Sequence, residues 1–225
     1  MSARTVVGID GYPRGWVAAV SVGSRWSWAT AAVDGFGDLC PADAVIGVDM
    51  PIGILTSGQR ECDLLAKAAL GRASSRVFIT PPRGVLELGL AAPNDRVQDA
   101  SRTLMGSGVS RQALGLASRV LAVDDFVAER PATRIVEVHP ELSFARMSDS
   151  GPLASKKSAA GVGQRMAALE SWLPDVATVV GQAPDDVPID DALDALACAW
   201  TARRWADGRA ELLPERARQR PFIAT

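Results

Sequence analysis

Short apolar runs alternate with longer amphipathic stretches along the chain, and the two patterns predict different elements. Strands are predicted over residues 5–10, 16–22 and roughly 25–33, and the first is nearly continuously apolar, as in a central strand. A turn or short helix over 35–42 precedes a fourth predicted strand at the start of AVIGVDMPIG (44–53). A fifth strand is predicted within 132–141.

Helical periodicity dominates the middle and the end of the chain. Ser57 is a candidate cap for a helix that runs to about Leu70, and residues 74–84 read as irregular or extended. Further helices are predicted over these ranges: 93–105, 110–129, 161–173 and 190–206. The basic tail after Pro214 is expected to be loosely ordered.

Three adjacent strands followed by strands that alternate with helices predict an α/β fold. The expected sheet is mixed, with three antiparallel strands, then parallel strands, and helices flanking it. At 225 residues we expect a single domain, 1–225, with a helical insertion over about 56–130.

Composition narrows the possible partners only slightly. The net charge of −2 supports neither a nucleic-acid partner nor a membrane surface. Residues 56–119, however, carry nine basic and five acidic side chains, and that excess suits either solvated helix faces or a surface that faces phosphate.

Three scattered cysteines and one histidine make a disulfide framework or a structural zinc site improbable. No signal sequence and no long apolar run is evident. A cytoplasmic protein without a membrane association is therefore expected.

Carboxylates follow three of the predicted strands: Asp10, Asp49 and Glu137. Neighbouring strands lie about 4.8 Å apart, so acids at the same end of adjacent strands crowd together. Such crowding is unfavourable unless a cation, a proton or an arginine neutralises it. An Asp-Gly turn alone would also explain Asp10, and its flanking glycines are expected to keep Cβ atoms away from a metal and a phosphate.

The last predicted helix adds two more acids in DDALDALACAW (190–200). Asp191 and Asp194 are three residues apart and share one side of the helix, beside an apolar stripe. Capping and the helix dipole explain Asp190 and Asp191, but neither explains Asp194. Oxygen ligands without a Cys/His set suit Mg²⁺ or Mn²⁺, and two such ions can promote phosphodiester cleavage.

Six segments occur along the chain in this order: GIDGYPRGW, VDMPIG, RECD, SSRVFITPPR, EVHPELSF and DDALDALACA. By these segments the chain resembles a bacterial family called domain of unknown function 429. That resemblance covers nearly the whole chain and implies an RNase H-like fold and nuclease activity. DALDALA (191–197) is also similar to the segment that ends the active site of RuvC-type Holliday-junction resolvases. By position, the resemblance implies catalytic, metal-binding roles for Asp10, Asp49, Asp191 and Asp194, and it makes a homodimer plausible.

Accessory candidates flank these acids. Glu137 and His139 alternate in EVHPE and are possible ligands or proton carriers, although a structural histidine is the commoner case. Four arginines are candidate phosphate contacts against a surface or ion-pair role: Arg14, Arg60, Arg76 and Arg83. The Lys156-Lys157 pair is typical of a solvated surface.

Three functions compete at this point. The first is a metal-dependent nuclease with an unspecified nucleic-acid substrate. The second is an actin-like phosphotransferase or ATPase, which residues 5–16 disfavour because they lack the Gly/Thr/Ser-rich phosphate hairpin. The third is a binding protein that retains the fold without catalysis.

Overall fold

The structure is a computed structural model that describes residues 4–89, 91–148, 152–215, 217 and 219–225. Its strands are β1 (Thr5–Tyr12), β2 (Gly15–Val22), β3 (Arg25–Ala31), β4 (Val45–Val48), β5 (Arg134–Glu137), β6 (Leu212–Leu213) and β7 (Ile223–Ala224).

The α-helices are α1 (Glu61–Leu70), α2 (Arg83–Leu88), α3 (Asn94–Met105), α4 (Arg111–Gly115), α5 (Ala117–Glu129), α6 (Pro140–Ser148), α7 (Ala159–Glu170), α8 (Val176–Val180) and α9 (Ile189–Ala206). Two 3-10 helices cover Val33–Leu39 and Gly71–Arg76. Among the residues described, no helix combines the length and apolarity needed to cross a bilayer.

Two compact units divide the described residues. The first comprises the described parts of Met1–Met50, Ala132–Glu211 and Ala224–Thr225, and the second those of Pro51–Pro131 and Leu212–Ile223. The segment Pro51–Pro131 closely matches the range in which a helical insertion is predicted, and the carboxyl-terminal segment joins it.

The first unit is built on a five-stranded sheet of the described residues, in the order β3-β2-β1-β4-β5. β2 runs antiparallel to both β1 and β3, whereas β1, β4 and β5 are parallel to one another. This order confirms the predicted mixed α/β sheet and is consistent with an RNase H-like fold.

One face of this sheet packs against α9. Val6 and Val45 contact Ala199 and Ala202 of that helix. Val17 and Ala19 of β2 belong to a larger core with Phe144 of α6, Leu169 of α7 and leucines of α9. The helix is therefore buried on nearly every side over residues 190–199, instead of along the single stripe that periodicity predicts.

Several predicted boundaries are wrong, for local reasons. β1 continues two residues past Asp10, because Gly11 and Tyr12 still pair with Trp16 and Gly15 in the hairpin. The fifth strand ends at Glu137, since Pro140 opens α6, at a helix position that tolerates proline.

The helical predictions also need correction in the second unit. α1 begins at Glu61 instead of after Ser57, because Gly58 donates its N–H to Leu104 and lies outside helical geometry. The helix predicted over 110–129 is divided at Leu116 into α4 and α5. α2 is not predicted at all, and neither are α6 and α8 of the first unit.

The tail after Pro214 is more ordered than expected. Ile223 and Ala224 are buried, and Thr225 exchanges two backbone hydrogen bonds with Glu211. Arg216 and Arg218, which contribute to the basic character of the tail, lie outside the described residues.

Candidate metal centre

Asp10 and Asp49 are brought side by side by the register of β1 and β4. Ile9 pairs with Val48 in a parallel ladder, and the Asp49 N–H donates to the Ile9 carbonyl at 3.0 Å. Asp10 follows Ile9 and Asp49 follows Val48, so the register places the two aspartates next to each other. Because side chains alternate along a strand, both carboxylates face the same side of the sheet as Gly8 and Gly47.

Gly8 and Gly47 allow α9 to approach that face very closely. A Cβ atom on Gly8 would lie 2.0 Å from the Ala195 carbonyl oxygen, and one on Gly47 would lie 2.4 Å from the Cys198 carbonyl oxygen. The two glycines are paired across the ladder, so they form one shallow notch for the helix. Gly8 thus serves helix packing, which corrects the expectation that it clears space for a metal and a phosphate.

This notch places Asp194 over the strand carboxylates, since Asp194 immediately precedes Ala195. Asp10, Asp49 and Asp194 each offer one oxygen, and these oxygens all lie within 4.8 Å of one another. Asp10 and Asp194 are buried, and Asp49 is partly exposed. Hereafter these three residues are the aspartate triad.

Burial and mutual repulsion make ionisation of the triad unfavourable. Burial, followed by the charges of Asp49 and Asp194, raises the pKa of Asp10 well above its usual value. Burial and Asp194 raise the pKa of Asp49 to about 8. The pKa of Asp194 is also raised, chiefly by burial, although Lys156 opposes that shift.

Asp191 lies one helical turn before Asp194 and is 9% exposed. Burial and the neighbouring Asp190 raise its pKa to about 6. Asp191 is not one of the three residues whose oxygens lie within 4.8 Å of one another. The structure thus brings three of the four implied ligands into one group and leaves the fourth beside it.

Lys156 is a cationic partner of the α9 carboxylates that the sequence analysis does not predict. Its Nζ lies 2.6 Å from Asp194 Oδ2, 3.6 Å from Asp190 Oδ2 and 3.9 Å from Asp191 Oδ1. Burial lowers the pKa of Lys156, but Asp194 and Asp10 outweigh it and raise the pKa overall. The expectation of a solvated lysine is therefore wrong for Lys156. It applies better to Lys157, whose side chain is 71% exposed and lies 2.6 Å from Asp190.

Of the accessory candidates in EVHPE, Glu137 ends β5 and His139 lies just before α6. Glu137 pairs with Val48, one position out of phase with Asp49, so the alternation of β5 directs it away from the face that carries the triad. Its charge nevertheless helps to raise the pKa of Asp49. His139 is partly exposed, and its carbonyl accepts from Leu142 and Ser143 at the start of α6.

Glu141 lies close enough to the aspartate triad for its charge to act on two triad members. It forms a buried ion pair with Arg165 of α7, at 2.5 Å, and its charge raises the pKa of both Asp49 and Asp194. A lone glutamate one residue after proline gives no signal of this in the sequence.

The candidate phosphate-binding arginines have different surroundings. Arg14 follows β1, has a 72% exposed side chain and pairs with Asp186 at 3.0 Å. Arg60, Arg76 and Arg83 belong to the second unit. Arg76 ends a 3-10 helix and is partly exposed, and Arg83 binds Asp124 and Asp125.

Arg60 has a structural position instead of an accessible one. Its side chain is 1% exposed, donates to Thr80 Oγ1 at 3.3 Å and pairs with Asp63 at 3.5 Å. A guanidinium enclosed in this way does not reach a substrate phosphate, so the prediction for Arg60 is corrected.

The residues of the triad fit a hard divalent cation. All three donors are carboxylate oxygens, which Mg²⁺ and Mn²⁺ prefer. In the described part of the chain, Asp194 Oδ1 is buried and accepts no hydrogen bond. A buried carboxylate oxygen without a donor is costly, and a cation would remove that cost.

Comparison with other proteins gives one match. A family model described as a protein of unknown function (DUF429) matches residues 8–219. No curated protein and no solved structure matches the chain. The matched range includes the whole aspartate triad, Asp191 and Lys156, and by this match the chain belongs to the DUF429 family.

Proposed function

We propose that this protein is a metal-dependent nuclease that hydrolyses phosphodiester bonds in nucleic acid. One observation carries the proposal: carboxylates from β1, the end of β4 and α9 converge so that their oxygens lie within 4.8 Å of one another. A divalent cation would offset the cost of bringing three partly or fully buried acids together. The RNase H-like sheet order gives further support, by analogy of fold alone.

Asp10, Asp49 and Asp194 would hold Mg²⁺ or Mn²⁺, and Asp191 would contribute to a second ion. Such ions, when bound, activate a water molecule and stabilise the leaving oxygen of a phosphodiester. The chain's own contribution is to hold the donors on rigid elements: a strand ladder and a helix fixed in the notch of Gly8 and Gly47. This pre-organisation reduces the rearrangement needed on binding.

Arg14 is the arginine best placed to contact the substrate in this proposal. It lies four residues after Asp10 in the β1–β2 hairpin, and its exposed guanidinium pairs with Asp186. An exposed arginine can exchange that partner for a phosphate at little cost, because surface ion pairs contribute about 0–1 kcal/mol.

A second candidate is a non-catalytic binding protein, and Lys156 is the observation that favours it. An ammonium group 2.6 Å from Asp194 already neutralises part of the negative charge without a metal. In that case the acidic centre would be structural and the protein would bind its partner without cleaving it.

A cleavage assay separates the two candidates. The purified protein is incubated with Mg²⁺ or Mn²⁺ and a panel of single-stranded, duplex, hybrid and branched nucleic acids. We expect cleavage that falls by about a thousandfold or more in Asp10→Asn and Asp194→Asn, since metal-ligand carboxylates are removed. Asp207→Asn is the matched control, because Asp207 lies at the end of α9 among surface arginines.

Retained cleavage in both triad variants would reject the metal centre. Absence of cleavage of every substrate, together with metal-independent binding of nucleic acid, would favour the non-catalytic candidate.

A further inference from the structure

Lys156 lies on a segment whose backbone is fixed by α7. The Ala154 carbonyl accepts from Arg165 at 3.0 Å, and the Ala154 N–H donates to Gln164 at 2.8 Å. A Cβ atom on Gly161 would lie 2.0 Å from the Ser155 carbonyl oxygen, so the helix and the segment are in direct contact. The position of Lys156 is therefore determined by packing, unlike that of an ordinary surface lysine.

The anchor of this segment is linked to the acidic centre by a second path. Arg165, which is fully buried, also forms the ion pair with Glu141 of α6. One guanidinium thus connects the backbone before Lys156 to a carboxylate whose charge acts on Asp49 and Asp194.

The two neighbouring lysines differ in what they bind. The Lys156 ammonium reaches Asp194 and lies within 4.0 Å of Asp190 and Asp191, whereas Lys157 pairs with Asp190. Asp194 is a triad member, and its other oxygen, Oδ1, accepts no hydrogen bond from any residue that the structure describes. The ammonium therefore satisfies only one of the two carboxylate oxygens of Asp194.

We propose that Lys156 is an internal counter-cation of the aspartate triad that a divalent metal ion must displace from Asp194. The inference rests on the proposed metal centre and adds to it: the chain carries its own competitor for the metal. Lys156 holds the carboxylates together in the metal-free protein and weakens metal binding.

The charges support this exchange. A divalent cation bound by Asp194 would lie close to an ammonium 2.6 Å from the same carboxylate, and like charges at such distances repel strongly in a partly buried site. The Lys156 side chain is 34% exposed, so it can turn toward solvent without any movement of the fixed backbone. Displacement therefore needs a rotamer change only.

Mn²⁺ titration of the 225-residue chain tests the proposal, with binding measured by calorimetry and by water-proton relaxation. We expect Lys156→Met to bind Mn²⁺ at least about tenfold more tightly than the wild type, because a repelling charge has been removed. The matched control is Lys157→Met, which removes the same charge one residue away and should change the affinity by less than about threefold.

Thermal unfolding gives a readout that does not depend on activity. Without metal, Lys156→Met should unfold at a lower temperature than the wild type, since the triad loses its counter-cation. Saturating Mn²⁺ should raise the unfolding temperature of this variant by more than it raises that of the wild type. Lys156→Gln provides the same comparison if the methionine variant does not fold.

The outcomes distinguish this inference from the proposed function. Equal or weaker Mn²⁺ affinity in the Lys156 variants, with normal binding by the wild type, overturns the counter-cation and leaves the metal centre intact. No Mn²⁺ binding by the wild type or by any Lys156 variant overturns both. Binding by the variants alone supports the counter-cation.

Discussion

Buried and half-buried carboxylates of the two units differ in how completely their oxygens are hydrogen-bonded or paired. In the second unit, Asp63 accepts the Thr80 N–H at 2.7 Å and pairs with the buried Arg60. Asp124 accepts the N–H groups of Gly53 and Ile54 and also binds Arg83. These acids are surrounded by donors, and their hydrogen bonds and ion pairs stabilise the fold.

The aspartate triad is different, although two of its members are buried as well. Asp10 and Asp194 are buried, yet Asp194 Oδ1 has no donor among the described residues, and like charges face one another across the group. A saturated carboxylate stabilises the fold, whereas an under-satisfied group of carboxylates remains available to a cation. This difference, more than burial, separates the aspartate triad from Asp63 and Asp124.

The largest expected effect comes from breaking a saturated carboxylate. Asp63→Asn removes a charge partner of Arg60, and both side chains are almost fully buried. We expect the free energy of unfolding to fall by about 3–5 kcal/mol, measured by denaturant titration. Asp99→Asn, which removes an exposed partner of Arg102, should cost at most about 1 kcal/mol. A similar small cost in both variants would contradict the stabilising role of Asp63.

Changing the notch under α9 should be the next most damaging. In Gly8→Ala the new methyl group would lie 2.0 Å from the Ala195 carbonyl oxygen, which belongs to helix backbone and cannot rotate away. We expect a loss of about 1–3 kcal/mol or more, together with weaker Mn²⁺ binding, because α9 carries Asp194. Gly163→Ala is the control, since a Cβ there meets no neighbour. Normal stability in Gly8→Ala would show that the helix is not held by this contact.

Neutralising a triad member should have the opposite sign from neutralising Asp63. Asp10→Asn keeps an oxygen that can accept the Gly11 N–H and removes one of the repelling charges. In metal-free protein at pH 8 we expect the free energy of unfolding to rise by about 1–3 kcal/mol, while Mn²⁺ binding is lost. Destabilisation by Asp10→Asn would show that Asp10 stabilises the fold, as Asp63 does.

The pH dependence of stability tests the same contrast. The pKa of Asp49 is about 8 in the folded protein, against the ordinary value of 3.8 expected in the unfolded chain. Between pH 3.8 and pH 8 the folded protein therefore retains a proton on Asp49 that the unfolded chain has released. The metal-free protein should therefore lose stability from pH 5 to pH 8, and Asp49→Asn should flatten that slope. Thermal unfolding at several pH values measures this, and a rise in stability over the range is the opposing result.

The sheet could be predicted from sequence because its signals are local. Apolar strands, hairpin turns and the acids that follow Ile9 and Val48 are all visible along the chain. Their ends are less predictable, since β1 continues past Asp10 only because its hairpin partner continues to pair with it. The division of α4 from α5 and the short helices α2 and α8 likewise depend on tertiary packing that periodicity does not record.

The sequence alone makes the aspartates candidates, because strand ends and a helical spacing of three place them on shared faces. The remaining parts of the site required the three-dimensional structure. Lys156 precedes Asp194 by 38 residues, so only folding reveals their ion pair. The pairing of Gly8 with Gly47 depends on strand register, and the burial of Arg60 depends on contacts that composition does not show.

Anomalous diffraction at the manganese edge, from crystals grown with Mn²⁺, tests the central claim most directly. The account predicts a peak bound by carboxylate oxygens of Asp10, Asp49 and Asp194 at about 2.0–2.3 Å. The peak should disappear in crystals of Asp194→Asn grown under the same conditions. Crystals at saturating Mn²⁺ with no peak among these three side chains would contradict the metal centre.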